Sequence, residues 1–435
     1  LTPSARIAAA IALVSDIEAE PRRPADAIAN DFFRTRRYIG SGDRRSVAER
    51  AWGVLRQNLR LAWHLEQVGL PVRARHLVIA HMLLCDHWAP DGVEQAFPGG
   101  RFNSAELDMG ERKAVLALSG RQLIASDMPE AVRMNLPEWA LASFRARFGA
   151  ELPLESAAMD KSAPLDMRAN LLRGSREDAA DSLAAEGIET EQTPYSPWGL
   201  RITERRQILA TKAFLEGLIE IQDEGSQLIA LLTGAKPGMR VADYCAGAAG
   251  KTLAVAAMMG NKGRIVACDV STTRLEGAVK RLRRAGVDNA ERHLLEAGDR
   301  WVKRRAGQFD RVLVDAPCTG TGTWRRNPDA RLRTTPRDVE ELVVKQRDIL
   351  DTTAGLVAKG GRLIYATCSV LPEENADQVA GFIDRHPEFE IVPFIQVWHE
   401  ATDARPPAME GDFMQLSPHR HGTDGFFAAV LQRGA

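Results

Sequence analysis

The sequence predicts an α/β protein in three parts. These are a helical segment over 1–150, a small α/β segment over 155–215, and an open, mostly parallel sheet wound with helices over 216–435. Three observations predict this. A chain of 435 residues is long for one hydrophobic core, so two or three domains are expected. Apolar residues recur at helical period up to about residue 150. Beyond 216, short apolar runs alternate with amphipathic segments, the pattern of parallel strands joined by crossover helices.

From the N-terminus, Ile7, Ile11 and Val14 share one face of an amphipathic helix. One Arg before that stretch and Asp16, Glu18 and Glu20 after it make a poor signal peptide. Residues 47–55 and 76–85 carry the same period, and Cys85 is expected in the core of the second. The Gly- and Pro-containing stretch 89–101 reads as a loop. In the small segment, a strand candidate at 165–172 precedes a helix opened by Ser175 with Glu177 close behind. Further strand candidates lie at 188–193 and 200–202, split by Pro194, Pro197 and Gly199. The third segment has strand candidates at 240–243, 264–269, 292–295, 311–315, 362–367, 389–394 and 425–431. That is a seven-stranded sheet with a late antiparallel pair, and a long loop over about 396–424 separates the last two strands.

Composition narrows the function classes. The net charge of −1 means that any nucleic-acid site is a local patch. Two patches stand out. Residues 31–60 hold Arg34, Arg36, Arg37, Arg44, Arg45, Arg50, Arg56 and Arg60, and residues 300–311 hold Arg300, Lys303, Arg304, Arg305 and Arg311. Either patch alone reads equally well as a solvated helix face. Five cysteines, without CxxC or Cys/His zinc spacing, point to a reducing cytoplasm and no metal. His419 and His421 read as surface residues. No run approaches the length of a membrane span.

The chemistry concentrates at strand ends, where open parallel sheets bind ligands. Asp243-Tyr244-Cys245-Ala246-Gly247-Ala248-Ala249-Gly250-Lys251-Thr252 follows the first strand of the third segment. Its small residues let a backbone approach a ligand, and the next helix offers free N–H groups. A P-loop would need Gly where Cys245 stands, although Gly-Lys-Thr and the later Leu313-Val314-Asp315 keep that reading open. A dinucleotide fingerprint is matched only at Gly247 and Gly250. An S-adenosylmethionine (SAM) site needs only the close turn and an acid at a strand end. Asp269, closing the second strand, suits both ribose hydroxyls of an adenosyl group, and Asp299 of Ala297-Gly298-Asp299 suits an adenine amino group; either acid alone reads also as a helix cap. Cys268 beside Asp269 is expected to pack inertly. Cys318 ends Asp315-Ala316-Pro317-Cys318, and Cys368 ends Ala366-Thr367-Cys368. Two thiols at one sheet edge suggest covalent chemistry, which requires a lowered pKa or a nearby base or cation. Arg325, Arg326, Asn327 and Pro328 follow the fourth strand and are candidates to meet a phosphate backbone.

Together the motifs Cys-Ala-Gly-Ala-Ala-Gly-Lys-Thr, Asp-Ala-Pro-Cys, Ala-Thr-Cys-Ser-Val-Leu-Pro-Glu-Glu-Asn and Thr-Asp-Gly-Phe-Phe (423–427) resemble those of the Sun/Nop family of RNA (cytosine-5) methyltransferases. The resemblance covers about 160–433. More weakly, Arg36 to Arg45 resembles the NusB-like helical domain of the family's bacterial small-subunit rRNA branch. It implies a class I SAM-dependent methyltransferase, Rossmann-like, behind an all-α NusB-like domain and a small RRM- or ferredoxin-like domain. It also implies small-subunit rRNA as partner and a cytoplasmic monomer, with a tRNA enzyme as the alternative. By resemblance Cys368 is the nucleophile on cytosine C6, Cys318 assists release, and Asp315 stabilises the adduct near N3. The methyl donor falls to Cys245, Ala246, Gly247, Ala248, Ala249, Gly250, Lys251, Asp269, Arg274, Asp299 and Asp315. The family usually has Pro-Gly-Gly-Lys where this chain has Ala248-Ala249-Gly250-Lys251. Strain is expected at Ala249 if its φ is positive.

Overall fold

The computed structural model describes residues 1–202, 206–296 and 298–435; Ala297 of the Ala-Gly-Asp motif and residues 203–205 of the small segment lie outside the described residues. The chain divides into two compact units. One comprises Leu1–Lys161 with Trp324–Thr335, the other Ser162–Thr323 with Pro336–Ala435.

The first unit is helical. Its opening helix, Pro3–Ala19, starts where Thr2 Oγ1 accepts from Ala5 N at 3.2 Å and Pro3 needs no partner for a missing N–H. Ile7 and Val14 are buried and Ile11 packs against the same core. Every residue of the helix Ala74–Leu84 except Arg75 is buried. Cys85 packs beside it, its thiol pushed up to about 12 chiefly by burial. The stretch 89–101 is not all loop: Pro90 opens a short helix, Pro90–Ala96, at the one position where a proline fits a helix well.

The arginine-rich stretch splits by role. Arg60 is buried against Asp160 at 2.5 Å, Arg50 pairs with Asp86, and Arg56 donates to the Arg325 carbonyl at 2.7 Å. Arg34, Arg37 and Arg45 remain exposed.

Trp324–Thr335 belongs to this unit although it follows the fourth expected strand of the third segment. Trp324 is fully buried, stacked on Phe144 at 5.4 Å with Trp139 edge-on at 6.4 Å. Arg331, also buried, lies over the Trp324 ring at 5.4 Å and donates to the Arg56 carbonyl at 3.2 Å. Asp329 accepts from Ala25 N at 3.1 Å. The expectation that Arg325 meets phosphate is corrected, because Arg325 is only 5% exposed.

The second unit has two sheets. The smaller takes β1 (Leu165–Ala169), β2 (Glu191–Gln192), β3 (Gly199–Ile202) and β4 (Ile219–Ile221), in the antiparallel order β2-β3-β1-β4. With the helix Arg176–Ala184 after β1 and the short helix Lys212–Leu215 before β4, this is a β-α-β-β-α-β arrangement. Ser175 caps the first helix in a reciprocal box with Asp178. β4 carries the small sheet past residue 215, where the sequence places its end.

The larger sheet takes β5 (Arg240–Asp243), β6 (Arg264–Asp269), β7 (Ala290–Leu294), β8 (Phe309–Asp315), β9 (Val357–Thr367), β10 (Phe389–Val392), β11 (Met414–Leu416) and β12 (Phe426–Arg433). The order is β10-β12-β9-β8-β5-β6-β7. β5 through β9 are parallel, and β12 runs antiparallel between β9 and β10. The seven expected strands are joined by an eighth, because β11 pairs with β12. The stretch 396–424 is thus not one loop. It holds the end of the helix Phe394–Ala401, β11, and the turn of helix Pro418–His421. His421 is buried and bonded to Ser417 N and the Ala408 carbonyl, contrary to its reading as a surface residue.

The order in which strands are added reverses at β5, which lies between β6 and β8. The crevice beyond the carboxyl ends of β5 and β8 is the switch point where such sheets bind ligands.

Candidate active site

The loop after β5 hangs on its neighbours by backbone bonds. Tyr244 N donates to the Leu313 carbonyl and Ala246 N to the Cys268 carbonyl, both at 2.8 Å. Gly247 turns at φ 55°, and Ala249 takes φ 64°, ψ 27° at the N-terminus of the helix Gly250–Met258. The expected strain at Ala249 is therefore present, at about 1–2 kcal/mol for a residue with a Cβ. Two cations brace the outer side of the turn. Arg281 donates to the Ala248 carbonyl at 2.8 Å, and Arg168 to the Gly250 carbonyl at 3.1 Å. Arg168 is buried, which pulls its pKa down to about 10. Both arginines escaped the sequence reading, since they lie in other elements and nothing in their neighbourhoods marks them.

Asp269 ends β6, nearly buried. Its two oxygens accept from Gly247 N at 2.9 Å and Ser271 N at 2.8 Å, fixing the carboxylate with lone pairs to spare. Arg274, with an exposed side chain, stands 3.9 Å from Asp269. Asp243, at the end of β5, accepts from Thr252 Oγ1 at 2.6 Å, while its other oxygen is buried with no partner among the described residues. Burial pushes its pKa up to about 6, against the pull of the Thr252 hydroxyl. Asp299 is exposed, bonded to His293 at 2.5 Å and capping the turn at Trp301 N at 2.8 Å. The His293 bond holds its carboxyl below the usual range. A fixed acid at a strand end, a close glycine turn and an orphaned buried carboxylate oxygen fit an adenosyl group with a polar tail. Lys251 is not free for phosphate, because its buried ammonium lies 2.6 Å from Asp315 at the end of β8.

Cys318 and Cys368 are brought together. Both are half-buried free thiols, with Sγ to Sγ 3.4 Å. The bond to Cys368 first, and burial second, hold the Cys318 thiol well above its usual range. Cys318 therefore keeps its proton, and the contact admits either sulfur as its donor. Cys268 is fully buried and its thiol is raised by burial, as its inert reading requires. Cys245 is likewise raised by burial.

Glu374, fully buried, ties the two cysteine loops. It accepts from Thr319 N at 2.9 Å, Thr319 Oγ1 at 2.5 Å and Gln346 Nε2 at 2.9 Å. Gln346 also reaches the Pro317 carbonyl at 3.0 Å. Asn375 accepts from Thr367 Oγ1 and donates to the Ser369 carbonyl. On the far side Gly322 N donates to the Cys368 carbonyl at 2.9 Å, and Gly425 N to the Gly322 carbonyl at 2.8 Å. A Cβ on Gly322 would come within 2.1 Å of the Gly425 carbonyl oxygen, so both glycines of this contact are required by close approach. Gln346 sits on an amphipathic helix, Pro336–Ala354, where no local signal reveals it.

The chain is similar to known proteins over most of its length. Residues 230–432 match the family model described as 16S rRNA methyltransferase RsmB/F, and residues 136–209 match an RsmF/B-like ferredoxin-like domain. The ribosomal RNA small subunit methyltransferase B of Klebsiella pneumoniae is 32% identical over 90% of this chain and 91% of its own. A probable ribosomal RNA small subunit methyltransferase B of Synechocystis is 29% identical over 93% and 95%. Among solved structures, PH0851 superposes with a TM-score of 0.78 at 25% identity, covering 100% of this chain and 99% of its own. A methyltransferase homologue from Pyrococcus horikoshii superposes at 0.60 and 29% identity, over 70% and 97%. With its paired thiols and acid-lined turn at one switch point, the chain belongs to the 16S rRNA methyltransferase RsmB/F family, SAM-dependent enzymes of the Sun/Nop type.

Proposed function

We propose that this chain methylates C5 of a cytosine in small-subunit rRNA, through a covalent bond between Cys368 and C6 of the base. The observation that carries the reading is the 3.4 Å contact between Cys318 and Cys368. C5 of cytosine is a poor nucleophile. Addition of the Cys368 sulfur at C6 raises electron density at C5, the carbon that takes the methyl group, and so divides one hard step into two. When bound, SAM supplies that methyl group as an electrophilic sulfonium carbon. Asp269 and the 245–250 turn are the residues that would hold it, with Asp243 at their base.

The Asp315–Lys251 pair, donor and acceptor side by side, serves to steady the charge that addition places on the ring near N3. Cys318, protonated and beside the nucleophile, assists release: the C5 proton passes to water, its electron pair re-forms the C5–C6 double bond, and the C6–S pair returns to Cys368, where the Cys318 thiol is placed to give it a proton. The target base must leave its stack, because a thiol reaches C6 only from the ring face. The helical unit is the NusB-like RNA-binding part of this reading, with Arg34, Arg37 and Arg45 exposed near Tyr38, which is 74% exposed.

Incubation of purified variants with RNA and SAM tests the assignment. Cys318→Ala is expected to accumulate a covalent RNA–protein adduct on a denaturing gel, and Cys368→Ala to form none. The reverse pattern overturns the roles. Methyl transfer by the wild type to tRNA but not to 16S rRNA overturns the substrate.

A further inference from the structure

A groove of about 740 Å³ lies on the second unit, where the small sheet's last turn meets the end of the helix Thr272–Ala285. Its walls carry Arg173, Lys280, Arg283 and Arg284, against Glu216 as the acidic group of the lining. The walls are locked together. Asn170 Nδ2 donates to the carbonyls of Gly217 and Ala285, both at 2.8 Å. Gly217, at φ 75°, approaches so closely that a Cβ there would fall 2.1 Å from the Arg284 carbonyl oxygen.

The cations differ in commitment. Arg284 is held by Glu220 and lies 3.8 Å over the Phe214 ring. Arg173 is exposed but anchored, donating to the Arg284 carbonyl at 3.3 Å with donors left over. Lys280 and Arg283, three apart on one helix face, are both exposed. Compensation of the helix dipole accounts for Arg283 and Arg284 in the last turn, but not for Lys280 or for Arg173, which comes from another element. A rigid seam with a surplus of positive charge, on a chain whose net charge is −1, fits a polyanion with regularly spaced charges.

We propose that this groove seats the phosphodiester backbone of the RNA substrate, with Arg173, Lys280 and Arg283 each meeting a phosphate. The proposal rests on the reading of the chain as an RNA methyltransferase and adds a surface to it. Phosphate contacts position a nucleic acid without reading its bases, so the groove sets affinity and register, not the identity of the target.

The test is the salt dependence of 16S rRNA binding and turnover, compared between wild type and Lys280→Gln/Arg283→Gln. The expected result is a log–log salt slope shallower by about two, one for each lost phosphate contact. The KM for RNA should rise severalfold, with kcat at saturating RNA and SAM affinity unchanged. Lys280→Arg/Arg283→Lys should keep the wild-type slope, and Lys236→Gln, an exposed lysine elsewhere on the unit, should not change it. An unchanged slope and KM in the neutralised variant overturns the proposal, as it would if the groove held an acidic protein segment instead. Failure of the wild type to methylate any RNA would sink the underlying function, a result distinct from an unchanged slope.

Discussion

Ala249 is a residue in an uncomfortable place. Its φ of 64° is the left-handed region, where a Cβ crowds the following carbonyl, and it is fully buried, so the turn cannot relax toward solvent. The bonds that impose it are visible: Ala249 N to the Ala246 carbonyl at 2.8 Å on one side, and Arg281 on the Ala248 carbonyl on the other. Ala249→Gly should therefore raise the stability of the folded chain by about 1 kcal/mol, strain relief outweighing the extra freedom that glycine gains when unfolded. Urea unfolding measures it, and a variant less stable than wild type would show the strain is not there. The departure from Pro-Gly-Gly-Lys was legible in the sequence; the positive φ that gives it a cost was not, because it depends on backbone bonds to β6 and on a cation from residue 281.

At the scale of elements, the segment Trp324–Thr335 shows how chain order misleads. Read along the sequence, Arg325 and Arg326 follow strand β8 and invite a phosphate contact. In the fold the segment packs into the helical unit, with Trp324 against Phe144 and Trp139 and with Arg331 over the indole. Trp324→Ala should cost that unit about 3–5 kcal/mol, as loss of a large buried ring does, and Trp324→Phe much less, since a ring still stacks on Phe144. Chemical unfolding followed by far-UV dichroism of the helical unit reads the difference, and equal stability of the two variants would contradict it. Strands β5, β6 and β8 were legible because each is an apolar run ending at an acid, long enough to show its type. β4 and β11, three residues each, fall below any periodic signal and exist only through pairing with β1 and β12. The cysteine pair was legible as two strand ends, but the 3.4 Å contact needed the parallel register of β8 on β9.

For the whole molecule, the division into two units separates what the methyl donor can stabilise. The helical unit has its own core, built on Leu13, Leu61 and Leu77, and the acids proposed to hold the donor, Asp243 and Asp269, lie in the second unit. A ligand stabilises only the states that keep its site, by about 2.7 kcal/mol at a hundred times its Kd. Hydrogen exchange with SAM present at that excess should slow amides of β5, β6 and the 245–250 turn by up to about 100-fold, to the extent that they exchange through openings that destroy the site. Amides of the helix Ala74–Leu84 should keep their rates. Slowing spread evenly over both units would mean that they open as one body, and slowing absent from the turn would place the donor elsewhere. Repeating the measurement with Asp269→Asn separates the two faults. The carboxylate anchors the turn through Gly247 N and the next helix through Ser271 N; an amide oxygen keeps the bond to the turn, while the bond to Ser271 and the charge proposed to recognise two hydroxyls are lost. A turn that stays protected without SAM but gains nothing from it would assign Asp269 to the donor rather than to the fold.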